Sequence, residues 1–183
     1  MASTRTEMAR ARNMIGSLSA LSHELRLRPS LRDAMMRILQ LSMESVNAES
    51  GSILLLDEDG EVSHAVLAYA GEIKVLPGDS MRAFVSEGLA GWVIGNRRPA
   101  LVPSTRDDPR WLQRSWELHD IAVRSAVCVP LVTGGRVLGV LTLVQRQRGG
   151  FSPGDLALLC SLAFCVSSTS IRQALHADRL DWQ

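Results

Sequence analysis

Chemistry in this chain would have to come from a few residue types, and their spacing decides most cases. Cys128, Cys160 and Cys165 are the candidate nucleophiles, redox groups or thiolate ligands. Cys128 sits between Val127 and Val129 in an apolar run, the setting of a small buried hydrophobe rather than of an activated thiol. Cys160 and Cys165 would project about 140° apart on an ideal helix, which suits neither a disulfide nor a shared metal. All three are therefore read as small buried side chains. His23, His64, His119 and His176 are scattered, with no two on one helix or strand face, so no donor set for a metal or haem emerges. His64 alone falls near a strand, where hydrogen bonding or exposure is the ordinary role.

Carboxylates and small residues fare no better. Asp57, Glu58, Asp59 and Glu61 form an acidic group, yet a helix-loop-helix calcium loop wants glycine at its sixth position and glutamate at its twelfth. Here Gly60 comes fourth, between two apolar runs, and the group reads as a solvated turn. Gly88 and Gly91 lack the third glycine of a dinucleotide fingerprint. Ser125 has no nucleophile elbow or nearby histidine, and Asp107, Asp108 and Asp120 suit capping or surface roles. No catalytic set is found, and no enzyme is expected. What remains is aromatic: Trp92, Trp111 and Trp116, with Tyr69, Ser125 and Thr142 as sheet neighbours. Together they would line a pocket for a planar organic ligand, or else serve as plain core. The ligand or cofactor is left unnamed, and the residues alone do not fix which strand faces line the pocket.

Elements must position these residues, and the pattern is clearest at Arg124–Val144. Two Val- and Leu-rich runs flank Gly134-Gly135, a pair suited to a tight hairpin turn. The runs are nearly continuous in apolar residues, so both faces of this hairpin should be covered and it should lie inside the sheet. Ser30 can cap a helix with Asp33 in its first turn and Leu31, Met35, Ile38, Leu39, Ser42 and Val46 on one face. Residues 52–56 and 62–69 read as strands around Asp59-Gly60, whereas 71–87 has no clear pattern. A helix of one or two turns is expected within Glu87–Asn96, ending near Gly95-Asn96, then a short strand at 100–102, and another short helix within Thr105–Asp120 carrying Trp111, Leu112, Ser115, Trp116 and Leu118. Ser152, Pro153 and Asp155 open a long helix expected to reach about Ala177.

Both ends look helical. Met8, Ala11, Ile15, Leu18, Ser22 and Leu25 recur at three and four, a coiled-coil-like seam over residues 1–29. The last helix carries one stripe at Leu156, Leu159, Cys160, Ala163, Ser167 and Ile171, and a second at Leu158, Leu162 and Cys165. An unburied second stripe would be a costly patch, so a homodimer is expected, with Ile15, Leu18, Leu25, Leu158, Leu162 and Cys165 at its interface.

Composition is that of an ordinary globular chain, with 183 residues, 46% hydrophobic, 21% charged and net charge +1. No stretch of about 20 apolar residues would span a membrane. Every basic residue but Lys74 is arginine, and the N-terminal arginines read as a solvated helix face, so neither nucleic acid nor membrane is an expected partner. Met1–Arg12 carries Arg5, Glu7, Arg10 and Arg12 with no apolar run behind them, unlike a secretory signal. With three cysteines of odd count, a cytoplasmic protein without disulfides is expected.

The ordered stretches EGLAGWVIGNRRPALV, DDPRW, RSAVCVPLVTGGRVLGVLTLV and FSPGDLALLCSLA, preceded by helix, strand, DG turn and strand, resemble a GAF domain over residues 30–172. The segment 1–29 would then be a dimerisation helix, and 173–183 the end of the last helix and a tail. The resemblance implies an α+β, three-layer α/β/α fold: a central antiparallel sheet of five or six strands, terminal helices on one face, short helices and loops closing a pocket on the other. GAF domains include cyclic-nucleotide receptors, bilin photoreceptors, iron gas sensors, metabolite sensors, bare dimerisation modules and a free methionine sulfoxide reductase. The Asn-Lys pair of the cyclic-nucleotide receptors is absent, since Ile73 precedes the single Lys74. No cysteine falls where the bilin proteins or the reductase would need one. The resemblance thus implies a non-catalytic sensory or regulatory module of bacterial signalling, or a ligand-free interaction module.

Overall fold

The computed structural model describes residues 16, 30–112 and 124–180, with side chains as far as 167. Six strands, β1 (Ser50–Leu56), β2 (Val62–Tyr69), β3 (Glu72–Leu76), β4 (Ala100–Val102), β5 (Ser125–Thr133) and β6 (Arg136–Gln145), form one antiparallel sheet. Their spatial order is β3-β2-β1-β6-β5-β4. Helix α1 (Leu31–Val46) precedes β1 and α4 (Pro153–Leu180) follows β6, while α2 (Arg82–Ser86) and α3 (Leu89–Asn96) lie between β3 and β4.

The glycine hairpin holds the interior of the sheet. Gly134 and Gly135 take φ of 54° and 79°, values that L side chains adopt at a steric cost. The ladder then runs from Thr133 opposite Arg136 to Ser125 opposite Gln145. Strand β6 also templates β1, whose first residue Ser50 pairs with Val144, so β1 begins two residues before the apolar run that announced it.

Alternation along the strands sorts two cores. Ile53, Leu55, Val66, Val127, Val129, Leu141 and Leu143 meet Met35, Ile38 and Leu39 of α1 and Leu159, Leu162, Ala163 and Val166 of α4. Leu54, Ala65, Ala126, Cys128, Val140 and Val144 meet Met81, Leu89, Ala90 and Val93 on the opposite face. This is the expected three-layer arrangement.

Local chemistry fixes the helix ends. Ser30 Oγ accepts the Asp33 N–H at 3.1 Å, and Asp155 N–H donates to Ser152 Oγ at 3.1 Å while the Asp155 carboxylate accepts the Ser152 N–H at 2.8 Å. Each helix thus satisfies N-terminal donors that its own ladder leaves over. Helix α1 ends at Asn47 in the left-handed region, φ 54°. Buried Gln145 then donates its amide to the Val46 and Asn47 carbonyls at 2.9 and 3.0 Å, tying that helix end to β6.

Two expectations change. The stretch 71–87, without a legible pattern, forms edge strand β3, a 3-10 turn at Gly78–Met81 and α2. Residues 105–112 are turns and irregular chain rather than helix. There the Asp108 carboxylate takes the Arg110 N–H at 2.9 Å, a local bond that competes with a helical ladder. The remainder of that expected helix lies outside the described residues.

Candidate functional site

The face opposite the terminal helices carries a polar row across an otherwise apolar floor. Ser52 of β1 lies opposite Thr142 of β6, and Thr142 lies opposite Cys128 of β5. Directly opposed residues share a face, and all three are buried. Thr142 Oγ1 donates to Cys128 Sγ at 3.2 Å. Leu54, Met81, Phe84, Leu89, Ala90, Trp111 and Leu112 wall the space above Ser52 and Thr142 and leave a cavity of about 20 Å³, room for about one water.

A clamp stands beside this chamber. The Arg110 guanidinium lies over the Trp92 ring of α3, 4.4 Å from its centroid, a distance at which a cation is drawn to the ring face. Asp108 holds the same guanidinium through Nε at 2.9 Å and Nη2 at 2.6 Å. This hydrogen bonding keeps the Asp108 carboxyl below its usual range against the opposing effect of burial, and it raises Arg110. Trp111, next in the chain, is thereby placed on the chamber wall.

The candidate pocket residues separate into groups. Thr142 and Trp111 line the chamber. Trp92 is half-buried beside that core and bears the clamp; Trp116 lies outside the described residues. Ser125 is corrected: it shares the parity of Val127 and Val129, and its Oγ accepts the Gly150 N–H at 3.0 Å beside the start of α4. It therefore belongs to the terminal-helix face. Tyr69 is corrected as well, because it ends β2 at the β2–β3 turn and lines spaces at the sheet's end with Glu49 and Ala70, away from the chamber. Ser52, Phe84 and Arg110 were missed; once the hairpin sets the parity of β6, its ladder to β1 assigns Ser52 to the chamber floor.

On α4, Leu162 is corrected too. It is 3% exposed and packs in the chain's own core, leaving almost no surface for a partner. Leu158 packs partly against the same core. Cys165 is exposed, overturning its reading as a buried side chain. Beside it Phe164, missed in the sequence, is 71% exposed. Cys160 is half-buried, and desolvation raises its thiol above the ordinary value. Ile15, Leu18 and Leu25 lie outside the described residues. Among the described residues, no group of three or more His, Cys, Asp or Glu could hold a metal ion, and no helix is long and apolar enough to cross a membrane.

With this geometry in place, the chain can be set beside known proteins. A family model described as GAF domain matches residues 29–168. The Nif-specific regulatory protein of Azospirillum lipoferum is 32% identical over 89 residues, 45% of this chain but 14% of that protein. The GAF domain of an Acinetobacter phosphoenolpyruvate-protein phosphotransferase superposes with a TM-score of 0.64 at 24% identity, over 90% of this chain and 95% of that one. Free methionine-R-sulfoxide reductase from Neisseria meningitidis superposes with a TM-score of 0.63 at 16% identity, over 87% and 89%. At such identities the superpositions speak to the fold alone.

Proposed function

The chain belongs to the GAF domain family, and from that premise we propose that it is a non-catalytic sensory or regulatory module of bacterial signalling, acting in the cytoplasm as a homodimer. A small planar organic molecule would bind beside Trp111 on outward movement of the short-helix side, since the closed chamber has room for about one water, and its presence would alter the packing of the terminal helices. The observation that carries this reading is the buried row Ser52, Thr142 and Cys128 on an apolar floor. Polar groups placed few and convergent in an apolar chamber orient a ligand. The regulatory part is supported by the similarity to a Nif-specific regulatory protein. Pairing is supported by the exposed Phe164 and Cys165 on α4, whose other face packs on the sheet. A ligand transmits a signal through that helix only by binding two helical arrangements with different affinity.

A thermal-shift panel of nucleotides, tetrapyrroles and metabolites tests the reading. A true ligand stabilises the chain by RT ln(1 + [L]/Kd), and Ser52→Ala with Thr142→Val diminishes that shift. A panel without any shift favours the second reading, an interaction module whose chamber is filled by its own side chains, for which the 20 Å³ cavity speaks. A reductase acting on free methionine sulfoxide is the third. It would need a reactive thiol at the chamber, where Cys128 is buried, while Cys160 and Cys165 lie on α4 across the sheet. Turnover that disappears when all three cysteines become Ser would establish that activity and end the non-catalytic reading.

A further inference from the structure

Strand β3 stands last in the strand order, and the helical layer stops short of it. Ile73 lies opposite buried Ala68 and Val75 opposite buried Val66, and both partners belong to the core beneath α1 and α4. By register, then, Ile73 and Val75 share the terminal-helix face, yet they are 40% and 42% exposed. An open groove of about 400 Å³, with Met43, Glu44 and Ile73 among its lining residues, separates α1 from that edge. The backbone is open there too. Ala70 and Gly71 take φ of 53° and 79°, a two-residue turn between the paired Tyr69 and Glu72, and a hydrogen-bonded pair closes such a hairpin. Alternation along the ladder then bonds Lys74 to Leu67 and turns the N–H and C=O groups of Ile73 and Val75 away from β2. A Cβ at Gly78 would stand 2.0 Å from the Val62 carbonyl oxygen, so the chain after Leu76 turns back onto β2 rather than along the outer edge.

We infer that the β3 edge is a docking surface for β3 of a second copy, the two strands pairing antiparallel so that two sheets run on as one. Because the outward backbone groups belong to Ile73 and Val75, few registers are open. Centred on Lys74, the pairing sets like charges against each other. Centred on Val75, it sets Ile73 against Pro77, which has no N–H to give. Centred on Ile73, it sets Ile73 against Ile73 of the second copy, Val75 against Gly71, and Glu72 against Lys74 on both sides of the two-fold axis. Opposite charges directly across an antiparallel pair stabilise it, so the lysine that would ordinarily guard an edge finds its counterion in the same strand of the second copy. Within one chain Glu72 and Lys74 meet at 2.7 Å with both side chains exposed, and a pair so solvated is held weakly enough to exchange for a cross-strand partner. Two five-residue strands bury less than the roughly 1,200–2,000 Å² of a standard interface. The contact is therefore weak, joining copies at concentrations above those at which α4 would pair them. The inference uses neither the chamber nor the α4 surface.

A charge-swap series on the full chain tests it, made in a Phe164→Glu background to weaken any pairing through α4 and followed by light scattering from micromolar to millimolar protein. Glu72→Lys alone and Lys74→Glu alone should each weaken self-association at least tenfold. An equimolar mixture of the two, and the double variant Glu72→Lys/Lys74→Glu, should restore it. Amide hydrogen exchange on the same samples should show Ile73 and Val75 gaining protection with concentration, while β1 and β6 amides keep theirs throughout. Single variants that associate as the parent does, or a mixture no tighter than its components, overturn the inference. Association that leaves the Ile73 and Val75 amides exchanging as in the dilute chain also overturns it, because charged surfaces then meet without strand pairing. A parent that stays unassociated up to millimolar overturns it as well and leaves the edge to a strand from a different protein.

Discussion

Asp108 does two jobs with one carboxylate: it accepts the Arg110 backbone N–H and the Nε and Nη2 N–H groups along one edge of that residue's guanidinium. The first bond closes the turn that keeps 105–112 from becoming a helix, and the others aim Arg110 at Trp92. Because the folded carboxyl is held below its ordinary range, its contribution is complete above the unfolded value near pH 4 and is lost as pH falls through the folded value. Asp108→Asn should therefore lower stability at pH 7 and flatten the acid limb of the stability curve below about pH 4. Urea titrations at pH 7, 4 and 3 check this: if wild type and variant differ by the same amount at all three, the carboxylate does not hold the clamp. None of this was readable in advance, because DDPRW offers capping residues and a first-turn proline equally well, and only the fold brings Trp92 beneath Arg110.

At the scale of elements, the sheet depends on how closely β1 and β6 approach. A Cβ at Gly139 would stand 2.0 Å from the Leu54 carbonyl oxygen, a backbone atom that cannot swing aside. Gly139→Ala should cost about 3 kcal/mol or more through overpacking and a disturbed ladder, read as a fall in the denaturant midpoint; a loss under about 0.5 kcal/mol would refute the close approach. The β5–β6 hairpin was legible because Gly134-Gly135 and two unbroken apolar runs encode turn and double burial locally. Caps at Ser30 and Ser152 were legible for the same reason. Strand β3 was not, because an edge strand with alternating charge, EIKVL, owes its structure to the ladder with β2 rather than to its own pattern. Ser125 was misplaced because strand parity is set by a register that the sequence does not state, and Tyr69 because it ends β2 at the sheet's end, a position along the strand that its own type does not reveal.

For the molecule as a whole, the question is which face of α4 serves the chain and which is left for the proposed pairing. Leu159, Leu162, Ala163 and Val166 are buried against sheet and α1, whereas Ala157, Ser161, Phe164 and Cys165 are exposed. Two substitutions five residues apart should therefore separate folding from pairing. Leu159→Ala removes a fully buried side chain and should cost about 2–5 kcal/mol while leaving the outer face intact. Phe164→Glu, at a side chain 71% exposed, should leave monomer stability within about 0.5 kcal/mol but place two carboxylates against each other across a symmetric helix contact. Light scattering over a concentration series should show the Phe164→Glu chain at the monomer mass where the unmodified chain is at twice that mass. If both chains scatter as monomers, or both as dimers with equal dissociation constants, α4 is not the pairing surface, and the proposed coupling of chamber to terminal helices loses this route.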